Sequence, residues 1–252
     1  MAKYLTEFDT YAEYSGATLS LPNVSLIKST GEVYYKNIFA GDTLGDVLMY
    51  DIANDKLVSS FGGIWDSTTY PIASYTPIAV NVYPGSQTPD GKNRYLSVNY
   101  ATRNSQTGST VYDRCVYGPD NFSPSTDKKA FNGRANQDAA EALMPGTSGN
   151  TQAEYAAFYA CSIFAAPGTN VGDWYLPSLK EMSLYKDNFL QIKSLINTIM
   201  SARSVTGYTF DSLITSTSVD DLKAYVILTD GGIGSRFGKG TSTGSVRAMI
   251  SL

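Results

Sequence analysis

The sequence predicts an α+β fold. Short β-type runs come first, helical windows occupy the middle of the chain, and short β-type runs return after residue 212. Segregated strands and helices of this kind do not suit a wound sheet of strand–helix–strand units. A single long helical pattern after residue 177 and several Gly- or Asp-containing links between apolar runs complete the case. At 252 residues the chain has room for one large domain or two.

The first segment places Tyr4, Leu5, Phe8, Tyr11 and Ala12 on one side of a short helix, with Thr10 and Glu13 spaced as a capping box. Val24–Ile27 and Glu32–Tyr35 read as a hairpin around Ser29-Thr30-Gly31, and Val47–Tyr50 and Lys56–Ser59 as a second around Ile52-Ala53-Asn54-Asp55. Residues 1–62 thus look like a hairpin-rich N-terminal module, small for independent stability. Texture changes near Tyr75. Strand runs Ile78–Val82 and Tyr95–Asn99 flank a loop rich in Pro, Gly and Asp, and a second domain is placed over residues 75–252.

Helical windows follow at Asn136–Leu143 and Gln152–Phe164, divided by Pro145-Gly146. Beyond Pro177, Ser178 and Glu181 form a capping box. Met182, Tyr185, Phe189, Ile192 and Ile196 then recur at helical intervals as far as Met200. Leu213–Thr217, Ala224–Leu228 and Val246–Ile250 are the closing strands.

Composition removes several functions. Lys plus Arg total 19 against 23 acids, with no basic block, so the charge pattern argues against nucleic-acid binding. Histidine is absent, which removes Ser-His-Asp and Cys-His nucleophile systems and His-ligated zinc. Cys115 and Cys161 form no CxxC; they read as buried thiols, with one disulfide as the alternative. No apolar stretch has the length of a signal peptide or membrane span, so the expectation is a chain made and folded in the cytoplasm, without membrane insertion.

Five segments carry a family resemblance: GDWYLPSLKEM at 172–182 with the long helix after it, ITSTS at 214–218, AYVI at 224–227 and SVRAMISL at 245–252. Together, over roughly residues 75–252, they resemble the C-type-lectin-like fold of the formylglycine-generating-enzyme branch. That branch includes the variable proteins of diversity-generating retroelements and phage receptor-binding and fibre proteins. Trp174, Leu176, Pro177, Ser178, Glu181, Ser216, Thr217, Val246 and Arg247 match its pattern, whereas Ile214-Thr215 stand where an aromatic often precedes the serines. The N-terminal LPNVSLIKSTGEVYY is similar to the leading module of virion and surface proteins of Bacteroides-type phages and their hosts.

Several residues have both a structural and a functional reading. Trp174 and Tyr175 read as staples between helix and sheet rather than ligand-facing rings, and Arg247 as a paired structural arginine with Glu181 as a candidate partner. Asp211, Asp220, Asp221 and Asp230 invite a calcium reading. They lack EF-hand spacing and the motifs of calcium-dependent lectins, so solvated loop acids are expected. Asp9, Glu13, Glu141 and Glu154 supply no arguable glycosidase dyad. The enzymes of the resembled branch use a pair of cysteines near the C-terminal end, and this chain has none after Cys161.

The candidate binding surface is Asp220, Lys223, Tyr225, Asp230, Ser235, Arg236, Phe237 and Lys239, in the region where the resembled fold displays variable contacts. The expectation is therefore a non-enzymatic phage virion protein without a cofactor or metal, a head or tail fibre or capsid decoration located in the virion. It would be a homo-oligomer, a trimer in preference, joined to other virion proteins through its N-terminal module, with a host glycan or protein as a further partner. A bacterial ligand-binding protein diversified by a retroelement, and an enzyme of the same fold, are the alternatives.

Overall fold

The computed structural model describes residues 5–8, 24–27, 32–35, 43–60, 62–144, 153–205 and 210–252. Its first three strands, β1 (Leu5–Phe8), β2 (Val24–Ile27) and β3 (Glu32–Tyr35), make a three-stranded sheet of order β1-β2-β3. The expected hairpin is present as the antiparallel β2–β3 pair. The expected first helix is not: Leu5–Phe8 pairs in parallel with Val24–Ile27. Inter-strand hydrogen bonding there overrides a weak helical periodicity. Thr10 and Glu13, the expected capping box, lie outside the described residues, as do Asp9 and Pro145-Gly146.

A five-stranded antiparallel sheet forms the centre of the described structure. It contains β4 (Val47–Asp51), β5 (Lys56–Ser59), β6 (Tyr75–Tyr83), β7 (Arg94–Ser97) and β13 (Met249–Ser251), in the order β13-β7-β6-β4-β5. Residues 47–59, grouped by sequence texture with the N-terminal stretch, are thus hydrogen-bonded into the same sheet as β6 and β7. β6 is apolar from Ile78 through Val80 and buried to its end because both faces of the sheet are covered. Pro77 is accommodated in this central strand beside a register shift opposite Leu48 and Met49, where the ladder is already interrupted.

Helices α1 (Gly133–Glu141) and α2 (Ala156–Ser162) contribute Ala140, Ala156, Phe158 and Cys161 to one core cluster with Leu48, Tyr95 and Trp174. The second cluster holds Val47, Val80 and Leu96 against the last helix. That helix is shorter than its periodicity implies. Residues 179–182 are a turn, α3 spans Ser183–Asp187, and α4 spans Phe189–Ala202 beyond a break at Asn188, whose side chain donates to the Leu184 carbonyl at 2.9 Å. The apolar positions Met182, Tyr185, Phe189, Ile192 and Ile196 are nonetheless all buried.

A second three-stranded sheet, β10 (Leu213–Ser218), β11 (Lys223–Ile227) and β12 (Ile233–Gly238), alternates its side chains between both clusters: Ile214, Ala224 and Val226 into the first, Leu213, Tyr225 and Ile227 into the second. β12 carries no clear strand signature because Gly234 interrupts it. A Cβ there would stand 2.7 Å from Val226 Cγ2. A small ribbon, β8 (Tyr100–Thr102) with β9 (Ser105–Ser109), was likewise not legible, and the last strand begins at Met249 rather than Val246. Among the described residues no helix is long and apolar enough to cross a membrane.

Cys115 and Cys161 are both free and buried. Burial pushes the Cys115 thiol up to about 12 and the Cys161 thiol well above its ordinary value. Burial likewise raises the phenols of Tyr117, Tyr175 and Tyr185. The unfolded chain releases these protons from about pH 8.5 for cysteine and about pH 10 for tyrosine, while the folded chain keeps them. The folded state then binds more protons, so stability falls as pH rises through that range. Lys239, whose ammonium is pushed below its ordinary value by burial, acts with opposite sign, one group against these five. Urea midpoints measured from pH 7 to 11 should hold steady to about pH 8.5 and then decline; a midpoint that rises there would contradict this assignment.

Candidate functional site

The site is assembled around Glu181. The Ser178–Glu181 capping box forms at the turn before α3: the Ser178 amide donates to Glu181 Oε2 at 2.8 Å, and the Glu181 amide donates to Ser178 Oγ at 3.3 Å. The same carboxylate accepts from the Gly133 amide at 3.2 Å, from Arg94 Nε at 3.1 Å and from the Tyr175 hydroxyl at 3.0 Å. It therefore joins the first turn of α1, the start of β7 and the segment that leads into the capping turn. The Tyr175 hydroxyl has one hydrogen and gives it to Glu181, so in its 2.6 Å contact with Ser251 Oγ the serine is the donor.

Arg94 is buried and donates from each of its three nitrogens. Besides Glu181, it donates through Nη1 to the Lys92 carbonyl at 2.9 Å and through Nη2 to Asp90 at 3.0 Å. Burial opposes ionisation of Asp90, but the Arg94 hydrogen bond and charge, the Lys92 amide and the Thr88 side chain together outweigh it and hold the carboxyl below its usual range. Asn93 braces the same loop by accepting from the Gly85 amide at 2.7 Å. On the other wall, Arg134 donates to the Asp173 carbonyl at 2.6 Å and lies 4.8 Å over the Tyr175 ring. Asp173 in turn accepts from the Asn170 amide at 2.7 Å, closing the turn that carries it.

Asp90, Arg94, Arg134, Asp173, Tyr175 and Glu181 line an open cavity of about 490 Å3, with Lys92, Phe131, Gly172 and Ser251 completing its wall. Gly133 is required behind Glu181 and Tyr175. A Cβ there would press on Glu181 Oε2 and stand 2.7 Å from Tyr175 Cε2 and 2.9 Å from the Ser178 nitrogen. Alanine ordinarily favours a helix by about 0.5–1 kcal/mol over glycine. Gly133→Ala is instead expected to cost about 1–3 kcal/mol through overpacking, read as a lowered urea midpoint with unchanged slope.

The motif residues singled out in the sequence are buried and meet one another. The Ser216 amide donates to the Pro177 carbonyl at 2.7 Å, the Leu179 amide to Thr217 Oγ1 at 2.9 Å, and Tyr175 bridges to Met249. Trp174 and Leu176 lie in the first cluster. Arg247 is buried and structural, but its guanidinium does not reach Glu181. It donates to the Ser97 and Val98 carbonyls and stacks 4.2 Å over the Tyr100 ring, while Arg94 takes the glutamate.

The expected surface at 220–239 is not one surface. Asp220 and Lys223 lie at one end of β11 and Asp230 beyond the other, a strand length of about 16 Å apart. Tyr225 is buried under Lys128, 5.1 Å over its ring. Lys239 is fully buried, donating to the Phe122 carbonyl and Ser123 Oγ at 2.7 Å each. Phe237 packs partly into the core, Ser235 is exposed, and Arg236 is placed by its backbone in β12. The loop acids serve local turns: Asp220 accepts from the Leu222 amide and Asp230 from the Gly232 amide, while Asp221 accepts from Ser123 and Asp211 from Ser245. Among the described residues no group of three or more Cys, Asp or Glu is placed to hold a metal ion.

Sequence reasoning missed Asp90, Lys92, Arg94, Phe131, Arg134, Asp173 and Ser251 as cavity residues. A signal was available at Arg94, a charged residue directly ahead of an apolar strand run, where burial demands a partner.

No protein-family profile matches the chain, and no curated protein matches it. Among solved structures, a fimbrial protein from Bacteroides ovatus ATCC 8483 is similar at 14% identity with a TM-score of 0.49, the match covering 83% of this chain and 49% of that one. This chain therefore spans about half the length of that structure.

Proposed function

We propose that the protein is a non-enzymatic binding and structural component of a surface assembly, in its finer form a phage virion protein such as a head or tail fibre or capsid decoration. Its body carries a C-type-lectin-like domain whose ligand site is the cavity between β7, α1 and the 170–182 segment. The sheet of β1, β2 and β3 belongs to the attachment module, through which copies associate as a homo-oligomer, a trimer in preference, and join other virion proteins.

The observation that carries this reading is the bracing of the cavity. Its buried carboxylate and guanidinium are engaged with each other and with backbone amides and carbonyls. Such a wall is pre-organised for recognition, because binding then costs little side-chain ordering. The convergence of Pro177, Leu179, Ser216 and Thr217 on one junction supports the lectin-like reading, since those segments carry the resemblance.

Three measurements test it together: particle labelling, solution mass and an assay for polysaccharide turnover. Gold-labelled antibody against the chain should decorate virus-size particles purified from the source culture, and light scattering of the purified chain should return three times the monomer mass. Absence of label from every particle fraction would overturn the virion assignment. Turnover of a polysaccharide by the purified chain would overturn the non-enzymatic one.

A further inference from the structure

We infer that the outer face of α4 meets a second copy of this chain at the symmetry axis of the homo-oligomer. The inference rests on the homo-oligomer proposed above and adds the surface on which the bodies touch.

Charge is the first observation. A surface helix ordinarily turns charged side chains to solvent, as α1 does with Arg134, Asp138 and Glu141. The exposed positions of α4 are Leu190, Gln191, Ser194, Asn197, Thr198 and Ser201, and none is charged. Intervals of three and four set Leu190, Ser194, Thr198 and Ser201 in one stripe. The single charged residue of the helix, Lys193, lies 5.7 Å over the Phe189 ring and 5.4 Å over the Phe210 ring of its own chain.

Apolar exposure is the second. At 77%, Leu190 is the most exposed large apolar side chain among the described residues, and Ile64 and Ile233 are exposed as well. All three belong to the start of α4. A Cβ on Gly45 would stand 3.3 Å from Gly63 Cα and 3.7 Å from Gln191 Nε2, which brings the Gly63-Ile64 loop to the first turn; one on Gly231 would stand 2.8 Å from Phe189 Cβ, which brings the tip before Ile233 there too. The bordering charges are engaged within the chain: Lys186 with Asp187, Asp66 with the amides of Thr68 and Thr69, Asp230 with the amide of Gly232. An apolar centre depleted of charge is the composition of an interface core.

Symmetry selects the occupant. Near a rotation axis each residue approaches its own equivalent, so a charge there would meet its like. A face without charge avoids that repulsion, and a different partner chosen by charge would find none to read. Position agrees with this. α4 packs on the face of the central sheet that carries Val47, Val80 and Leu96, and α1 and α2 on the face that carries Leu48 and Tyr95. Association through α4 therefore leaves α1 on the far side of the sheet from the axis.

The test is light scattering of the full chain over a dilution series, for the parent and for Ser194→Glu, Thr198→Glu and the α1 control Ala139→Glu. Glutamate favours helix over serine and threonine, so the α4 variants fold, and thermal melts verify it. The parent should return three times the monomer mass. The concentration of half-dissociation should rise about tenfold or more in both α4 variants and stay unchanged in Ala139→Glu. Because Cys115 and Cys161 are buried, Ser194→Cys should give covalent dimers under mild oxidation, and Ala139→Cys should not. Parental dissociation in both α4 glutamate variants, or covalent dimers no more abundant for position 194 than for position 139, would overturn the inference and leave a homo-oligomer held by its N-terminal module alone. A monomeric parent would overturn the homo-oligomer itself and this surface with it.

Discussion

Glu181→Ala is expected to destabilise the protein by about 3–5 kcal/mol, the range for removing one partner of a buried ion pair. Arg94 would keep its burial and lose its Nε acceptor, and the amides of Gly133 and Ser178 and the Tyr175 hydroxyl would lose theirs. For a chain of this size the melting temperature should drop on the order of 10 °C. Glu181→Gln should cost less but not nothing. Each carboxylate oxygen accepts from two donors, so the amide NH2 must face two of them whichever way it turns. In Arg94→Met/Glu181→Ala the two losses should be strongly sub-additive, because neither charge is then left alone in the core. Additive costs in urea denaturation would show that the two residues do not act as a pair.

Trp174→Ala is expected to cost about 3–5 kcal/mol for a different reason, the cavity left by a large ring. Trp174 has no exposed surface, packs edge-to-face on Phe164 with centroids 4.9 Å apart, and donates from Nε1 to Thr169 Oγ1 at 2.8 Å. Trp174→Phe separates the contributions, since it keeps most of the packing and gives up the hydrogen bond. It should lose about 1–2 kcal/mol of stability by chemical denaturation. Equal losses for the two variants would mean that the Thr169 hydrogen bond, and not the ring packing, holds this corner.

The elements that declare themselves in the sequence are those whose local pattern and tertiary role agree. β2, β3 and β5 match their predicted spans because alternating or β-branched runs end in turn residues. The buried stripe from Met182 to Ile196 was visible in its spacing even though the helix breaks at Asn188, because burial follows side-chain position and the break follows the fit of two helices to one sheet. β1 and β12 were hidden for the opposite reason. Leu5–Phe8 is a strand only through its parallel partner, and β12 owes Gly234 to the bulk of Val226 across the hairpin.

The site was less legible than the fold. Glu181, Trp174 and Arg247 could be marked as structural from motif and flanking sequence, and the reciprocal bonds of the expected capping box are made, although they close a turn and the helix they were expected to open begins only at Ser183. Its true partner lies 87 positions away on β7, a pairing that no local spacing encodes. Charged and aromatic residues around β11 and β12 looked like a surface, yet Lys239 and Tyr225 are turned inward. A lysine with an apolar stem and a carbonyl to bond can be buried as readily as displayed, and sequence alone does not separate the two.

The cavity between β7 and α1 is held in shape by the buried Arg94–Glu181 pair. The most direct measurement of that bracing is the arginine side-chain Nε–H spectrum of the isotope-labelled full chain beside that of its Glu181→Gln variant. A slowly exchanging Arg94 Nε–H signal is expected in the parent chain, with faster exchange in the variant. An Arg94 signal that exchanges as fast as that of an exposed arginine in the parent chain, or equally slowly in both, would contradict it.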